Sequence, residues 1–208
     1  NDCEMTSIET YSCPQCGASD RERLYSLACM KIKKFKNRKQ KILHFAPENS
    51  FYNFLSSRKN YSIITTDLER KDVMLKQDIE NLDSINSNVF DGIFCSHILE
   101  HVLDDNKALA ELYRILKKGG WALLMAPICT KIESSIVEEK NIIYSEADRW
   151  SLFGQNDHRR LYSRQDFVNL IKRAGFELEC YGVGYFGLKM FKMLGLKETS
   201  TLYVAIKK

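Results

Sequence analysis

Short apolar segments alternate with amphipathic ones over most of the chain. Five runs rich in apolar or β-branched residues predict strands, at residues 42–46, 61–66, 73–75, 90–95 and 121–126. Two later runs predict the last strands, at residues 176–181 and 202–206. Strands that alternate with helices at this spacing predict an α/β fold with a doubly wound, mostly parallel sheet.

The helices between these strands carry recognisable ends. The strongest amphipathic pattern begins after Asp104 or Asp105, either of which is a good N-cap, and is closed by the glycine pair 119–120. Ser50 is predicted to cap the helix after the first strand, and Ser163 to cap a later one. These caps place the connections on the carboxyl side of the strands, where ligands bind in such sheets.

Two segments depart from the alternation. Residues 1–40 form a predicted N-terminal segment with a Cys-x-x-Cys pair and a helix, and residues 41–208 form the main domain. Within that domain, residues 129–160 are polar and too long for a plain connection, so they are expected to form a cap over the strand ends. The cap carries Trp150, Leu152 and Phe153, which need a surface to cover.

The polar residues at the strand ends indicate which cofactor binds. The loop after the first strand, residues 45–50, contains no glycine, and the chain has no Gly-x-x-x-x-Gly-Lys-Ser/Thr loop, so phosphate-bearing cofactors are disfavoured. Asp67 follows the second strand and offers two acceptor oxygens to ribose hydroxyls, and Asp78 follows the third and suits an adenine amino group. A cofactor with a positive centre and no phosphate, S-adenosylmethionine, fits best.

Residues 41–128 resemble a class I S-adenosylmethionine-dependent methyltransferase. The resemblance rests on Phe-Asp-Gly-Ile-Phe-Cys-Ser-His-Ile-Leu-Glu-His-Val at 90–102 and on Leu-Lys-Lys-Gly-Gly at 116–120. It implies a seven-stranded sheet whose last strand, 202–206, runs antiparallel to its neighbours. It also implies the residues that line the cofactor: Phe45, Ala46, Pro47 and Glu48 at the methionine end, Asp67 and Leu68 at the ribose, Asp78 and Ile79 at the adenine, and Ser96 and His97 near the methyl group.

The first loop departs from the usual pattern of that family. His44 stands where an aspartate is usual, and Ala46, Pro47 and Glu48 replace the first glycines. The segment Leu-His-Phe-Ala-Pro-Glu at 43–48 resembles one subgroup, which also has a zinc-ribbon-like Cys-Pro-x-Cys-Gly segment near its N-terminus. The departure concerns how the methionine end of the cofactor is held.

Histidines are the candidate catalytic groups, because an acceptor that must lose a proton needs a base near neutral pH. His97 follows the fourth strand and is expected to point into the cleft, and His158 lies where the cap returns to the sheet. Asp157 is expected to orient His158, and Arg159 or Arg160 to hold an anionic acceptor. His44 is interpreted as structural or as an anchor of the first loop, and His101 as part of the cofactor pocket.

Three cysteines are candidate metal ligands. Cys13 and Cys16 have the spacing of a zinc knuckle, and Cys3 is the predicted third ligand of a structural zinc. The alternative is that these cysteines are reduced or packed. Seven scattered cysteines do not form a secreted disulfide framework, so a cytoplasmic location is the expectation.

Composition narrows the function only a little. The 208 residues are 44% hydrophobic and 28% charged, as in an ordinary globular protein, and no apolar run reaches the length of a membrane span. The net charge of +4 and the basic run at 31–41 fit either a solvated helix end or a patch for an anionic partner. The predicted function is methyl transfer to a small molecule or glycan; the alternatives are an RNA-modifying methyltransferase and a catalytically silent fold that binds a partner.

Overall fold

A seven-stranded sheet forms the centre of the protein. The computed structural model describes residues 3–5, 9–36 and 39–208. In chain order the strands of this sheet are β1 (Gln40–Phe45), β2 (Tyr61–Asp67), β3 (Leu75–Lys76), β4 (Phe90–Ser96), β5 (Leu116–Met125), β9 (Glu177–Tyr181) and β10 (Leu202–Ile206), and β6 to β8, within residues 128–163, form a separate small sheet. Across the sheet the strands follow the order β3-β2-β1-β4-β5-β10-β9.

The strand directions confirm the predicted architecture. Neighbouring strands from β3 to β5 are parallel, and β10 is antiparallel to both β5 and β9. The last strand of the chain, β10, is therefore inserted between β5 and β9, and the prediction of an antiparallel strand at 202–206 is confirmed. Because β1, β2 and β4 are adjacent, the loops that follow them meet at one edge of the sheet.

Seven α-helices are described. They are α1 (Asp20–Lys31), α2 (Asn49–Ser56), α3 (Asp105–Ile115), α4 (Glu146–Phe153), α5 (Arg164–Arg173), α6 (Val183–Phe186) and α7 (Leu188–Met193). Asp104 caps α3 and Ser163 caps α5 as predicted, each side chain accepting from backbone N–H groups of the first turn. Ser50 does not cap α2: the helix already begins at Asn49, and the Ser50 hydroxyl donates to the carbonyl of Cys16 instead. The end of α3 also differs, because β5 already begins at Leu116.

The N-terminal helix packs into the core of the sheet. Leu24, Tyr25 and Leu27 of α1 are almost completely buried and belong to the same hydrophobic cluster as the central strands. The Tyr25 hydroxyl lies 2.7 Å from the hydroxyl of Ser96 at the end of β4. The predicted N-terminal segment therefore contacts the strand that carries the candidate site.

A close approach in the middle of the sheet explains one glycine. The Trp121 ring lies over Gly92 of β4, and a Cβ on that residue would meet the ring at 2.3 Å. The same ring packs edge-on against Phe35 and Phe94. Glycine at 92 therefore lets the largest side chain of the core fit between the strands.

Residues 128–163 form more regular structure than their polar sequence predicts. A small sheet of order β6-β8-β7 contains β6 (Ile128–Cys129), β7 (Ile136–Val137) and β8 (Arg160–Ser163), and α4 lies between the last two strands in sequence. Ser145 and Asp148 form a capping box at the start of α4, and Gly154 ends it in the left-handed conformation. We call residues 129–160 the cap.

The exposure of the cap differs from the sequence expectation. Phe153 is buried, but Trp150 and Leu152 are 58% and 37% exposed. Only one of the three large apolar residues therefore covers a surface of the protein. In the described ranges, no helix has both the length and the apolar character to span a membrane.

Candidate functional site

A cavity of about 710 Å³ lies where β1, β2 and β4 end. Seven of the predicted cofactor residues line it: Phe45, Ala46, Asp67, Leu68, Asp78, Ile79 and His97. The cap lines the same cavity through Arg149, Asn156, Asp157 and Arg159. Sequence reasoning placed the site at this edge, but it did not single out Gln77, Glu80, Val102 or Leu103, which also line the cavity.

Two residues beside the cavity have unusual backbone conformations. Ala46 and His97 have φ of +43° and +55°, in the left-handed region that glycine usually occupies. They follow β1 and β4, which are neighbours in the sheet. Ala46 thus has a backbone conformation for which glycine is usual. In that conformation its N–H donates to the carbonyl of Thr66 at 2.8 Å. Strained positions of this kind concentrate at binding sites.

The two aspartates each keep one carboxylate oxygen available to the cavity. Asp67 Oδ1 accepts from the N–H groups of Glu69 and Arg70, at 2.8 and 3.0 Å. Asp78 Oδ1 accepts from the N–H of Glu80 at 2.9 Å. Among the residues that the structure describes, neither Oδ2 has a hydrogen-bond donor. These bonds fix the orientation of both side chains and leave Oδ2 to a ligand.

Three predicted cofactor residues do not line the cavity. Pro47 faces a neighbouring cavity of about 550 Å³. Glu48 pairs with the buried ring of His44 at 3.3 Å. Ser96 is buried and bonded to Tyr25. These residues shape the loop from behind, and no local pattern in the sequence indicates the His44–Glu48 pair.

The charge of Glu48 is favoured despite its burial. Burial acts to raise the pKa of the Glu48 carboxyl, but the hydrogen bond and charge of His44 and the charge of Arg21 together bring this pKa below its usual value. The loop after β1 therefore contains a carboxylate that contacts α1 through Arg21, at 3.8 Å. His44 acts as the anchor of this loop, one of the two roles expected for it.

His97 and His158 lie in different surroundings. His97 lines the cavity, and its Nδ1 is 3.2 Å from Oε1 of the buried Glu100. His158 is only 6% exposed and does not line the cavity, in contrast to the expectation that it is directed at the methyl donor. Its Nδ1 lies 3.2 Å from the carbonyl of Phe153, and its ring packs edge-on against His101 at 4.8 Å. His101, which does line the cavity, separates His158 from the ligand space.

Burial and neighbouring charges together set the protonation of His158 and Glu100. Loss of solvent lowers the pKa of His158, which favours its neutral form. Burial of Glu100 acts to raise the pKa of its carboxyl, but the hydrogen bond and charge of His97 and the charge of His101 bring that pKa below its usual value. A carboxylate and an uncharged imidazole therefore lie side by side behind the cavity wall.

Asp157 and the two arginines at the end of the cap have separate roles. Asp157 Oδ2 lies 3.3 Å from Nδ1 of His101, so Asp157 orients His101. The prediction that it orients His158 is wrong. Arg160 is buried and donates to the carbonyls of Leu99, Val102 and Leu103, so of these two arginines only Arg159 lines the cofactor cavity, although both line a neighbouring cavity of about 1120 Å³. Of the two arginines expected to hold an acceptor, the structure favours Arg159, whose side chain is 33% exposed against 4% for Arg160.

The N-terminal cysteines do not meet the requirements of a closed zinc site. Backbone N–H groups of Gln15 and Cys16 lower the pKa of the Cys13 thiol, as a metal ligand needs. Cys3, however, forms a β-bridge with Cys129. Within residues 3–5, 9–36 and 39–208, Cys3, Cys13 and Cys16 do not group as ligands of one ion. Zinc at these cysteines stays a prediction, and no functional step is derived from it.

Comparison with known proteins identifies the family. A family model described as a methyltransferase domain matches residues 10–181. A ubiquinone/menaquinone biosynthesis C-methyltransferase of Brucella canis is 28% identical over 123 residues, which cover 50% of this chain and 45% of the relative. The chain thus spans about half the length of the curated relatives it matches.

Solved structures show the same fold at low identity. The YcgJ protein of Bacillus subtilis has a TM-score of 0.55 and 16% identity, covering 89% of this chain and 99% of that chain. The phosphoethanolamine N-methyltransferase 2 of Haemonchus contortus, in complex with S-adenosyl-L-methionine, has a TM-score of 0.56 and 15% identity, covering 90% and 52%. The [4+2]-cyclase SpnF has a TM-score of 0.62 and 14% identity, covering 93% and 84%. The family match and the fold agree with the resemblance of residues 41–128: the chain belongs to the methyltransferase domain family.

Proposed function

We propose that this chain transfers the methyl group of S-adenosylmethionine to a small-molecule or glycan acceptor. The observation that carries the proposal is the cavity of about 710 Å³ into which β1, β2, β4 and the cap all contribute side chains. Its lining combines apolar surface with oriented carboxylates and contains no glycine-rich loop for phosphates. This lining suits a nucleoside with a positive centre.

Each lining residue has a role in binding. The free Oδ2 of Asp67 accepts from ribose hydroxyls, and that of Asp78 accepts from the adenine amino group. Phe45, Leu68 and Ile79 supply apolar contact. When bound, S-adenosylmethionine supplies a methyl group already activated for displacement. The chain then needs chiefly to hold the acceptor in line, which can account for roughly 7–11 kcal/mol of a reaction barrier.

His97 is the candidate general base. It lines the cavity, and the carboxylate of Glu100 lies 3.2 Å from its Nδ1, which leaves Nε2 as the ring nitrogen for an acceptor. His158 touches the ring of His101 and not the cavity, so we assign it a positioning role in place of the catalytic one. An acceptor that loses no proton needs neither group for the chemical step.

A second cavity supports a polar acceptor. It has a volume of about 1120 Å³ and shares Leu103, Arg149 and Arg159 with the cofactor cavity. Charged side chains such as Asp105, Glu138 and Arg149 line one part of it, and apolar side chains such as Leu103, Val137 and Ile142 line another. The charged part offers hydrogen-bond partners to a sugar or another polar acceptor.

The position of the basic run does not favour the RNA alternative. The described residues of this run, 31–36 and 39–41, precede or begin β1, so they lie at the amino end of that strand, whereas the cavity follows its carboxyl end. Lys34 of this run is paired with Glu179. Lysines that bind an RNA phosphate backbone would therefore contact the edge of the sheet opposite the cofactor.

Binding of S-adenosylhomocysteine tests the proposed function. A ligand at one hundred times its dissociation constant should stabilise the protein by about 2.7 kcal/mol, measured as a rise in melting temperature. NAD serves as the comparison, because its pyrophosphate has no glycine-rich loop to bind. A shift with NAD and none with S-adenosylhomocysteine would contradict the proposal.

Asp67→Asn tests the ribose contact. Asparagine keeps the Oδ1 acceptor for the N–H groups of Glu69 and Arg70, but it replaces the free Oδ2 by a donor. We expect affinity for S-adenosylhomocysteine, measured by calorimetry, to fall by about 1–3 kcal/mol. Asp72→Asn, which removes an exposed partner of Arg70, is the matched control and should bind as the wild type does. Equal affinity in both variants would mean that Asp67 does not contact the cofactor.

A further inference from the structure

Three metal-ligating side chains converge behind the wall of the cofactor cavity. Glu100, His101 and His158 each place a ligand atom within 4.8 Å of the others. Glu100 is completely buried; Nδ1 of His97 lies 3.2 Å from its Oε1, whereas its Oε2 has no hydrogen-bond donor within the described part of the chain. A buried carboxylate with an oxygen that lacks a donor is costly, and a bound cation is one way to compensate it.

Both imidazoles are oriented as metal-binding histidines usually are. Nδ1 of His101 lies 3.3 Å from Oδ2 of Asp157, and its Nε2 lies 4.0 Å from Oε1 of Glu100. Nδ1 of His158 lies 3.2 Å from the carbonyl of Phe153, which leaves Nε2 as its ligand atom. An oxygen acceptor on the far nitrogen fixes the ring and its tautomer, and this is the usual outer contact of a histidine that binds a metal.

We propose that Glu100, His101 and His158 bind one divalent transition-metal ion. Two imidazole nitrogens and one carboxylate oxygen favour ions such as Zn²⁺, Mn²⁺, Fe²⁺ or Co²⁺ over Mg²⁺ and Ca²⁺, which prefer oxygen ligands alone. Since the ligand atoms are up to 4.8 Å apart, binding requires only a small contraction of the group.

Such an ion would bind the methyl acceptor next to the methyl donor. Three protein ligands leave coordination positions open, and His101 lines the cavity, so the open side faces the ligand space. An acceptor with a hydroxyl or carboxylate oxygen would complete the coordination and be held for transfer, and coordination lowers the pKa of a hydroxyl group. This second step rests on the proposed function, whereas the metal site itself does not.

Co²⁺ titration of protein first treated with a chelator tests the site. We use a Cys13→Ser, Cys16→Ser background to remove the thiolates, and we follow binding by calorimetry and by the visible absorption of Co²⁺. One ion per chain is expected. Glu100→Gln and His101→Asn should each weaken binding at least about 100-fold, and Asp157→Asn, which changes the partner of His101, about 10–100-fold.

Glu69→Gln is the matched control, because Glu69 lines the same cavity but lies outside the proposed ligand group. It should leave Co²⁺ affinity unchanged. A circular dichroism spectrum and a melting temperature close to those of the wild type show that the fold of each variant is intact. If protein that keeps the three proposed ligands binds no Co²⁺ at about 1 mM, the metal site is wrong. It is also wrong if the Glu100 and His101 variants bind Co²⁺ as tightly as that protein does. If the protein binds S-adenosylhomocysteine but not Co²⁺, the metal site is wrong and the proposed function is unaffected. If it binds Co²⁺ but not S-adenosylhomocysteine, the proposed function is wrong and the metal site is supported.

Discussion

Arg160→Met should lower the free energy of unfolding by about 3–5 kcal/mol, the usual cost of removing one partner from a buried charged network. Arg160 is 4% exposed, and its guanidinium lies 3.3 Å from the carboxylate of Asp105. The same group donates to three carbonyls in residues 99–103, at 2.7 to 3.0 Å. Methionine fills a similar volume but donates to none of them. Urea unfolding followed by circular dichroism measures the change.

Arg159→Met is the matched control for this variant. Arg159 is the neighbouring residue, its side chain is 33% exposed, and its side chain pairs with Glu138 at 2.7 Å. A partly exposed ion pair contributes about 0–1 kcal/mol, so the control should unfold close to the wild type. Equal losses in the two variants would mean that the carbonyls of residues 99–103 do not depend on Arg160.

Loss of the Arg160 side chain should also disturb the candidate functional site, because the loop of residues 99–103 contains Glu100 and His101. The cap approaches this loop at two adjacent positions: the N–H of Arg159 donates to the carbonyl of Glu100 at 2.8 Å, and the Arg160 side chain holds the following carbonyls. The segment of β4 and its loop that resembles methyltransferases is therefore held in place by a part of the chain about sixty residues away. We infer that the cap positions the site as well as covering it.

The sheet was predictable because its signals are local. Alternating strands and helices, the Ser163 cap and the strand at 202–206 depend on neighbouring residues, and the structure confirms them. Ser50 shows the limit of such signals. It has the residue type of a cap, but a carbonyl from a distant turn, at Cys16, offers its hydroxyl a different partner.

The site was predictable in part. Residues at strand ends face one edge whatever the loops do, and so Asp67, Asp78 and His97 line one cavity. The role of His158 depended on how the cap folds back, since a ring that packs on His101 and a ring that faces the ligand have the same sequence. The burial of Glu100 was equally hidden, because the sequence resemblance marks the residue without showing that its side chain is enclosed and that, among the described residues, its Oε2 has no donor.

Phe153→Ala should release the cap from the rest of the protein. Phe153 is 1% exposed, yet it lies outside the continuous hydrophobic cluster of the sheet, so its burial stabilises the cap in particular. Truncating a buried phenylalanine costs about 3–5 kcal/mol. Because each 1.4 kcal/mol is a factor of ten, amide hydrogens of α4 should exchange roughly a hundredfold faster or more, while those of β4 stay protected.

Trp150→Ala is the matched control on the same helix. Trp150 is 58% exposed, so its truncation should change the unfolding free energy and the exchange of α4 by only about 0.5 kcal/mol. Since the carbonyl of Phe153 lies 3.2 Å from Nδ1 of His158, an opened cap also frees His158. Co²⁺ affinity should therefore fall in Phe153→Ala and not in Trp150→Ala. Fast exchange in both variants, or in neither, would show that burial of Phe153 is not what holds the cap over the site.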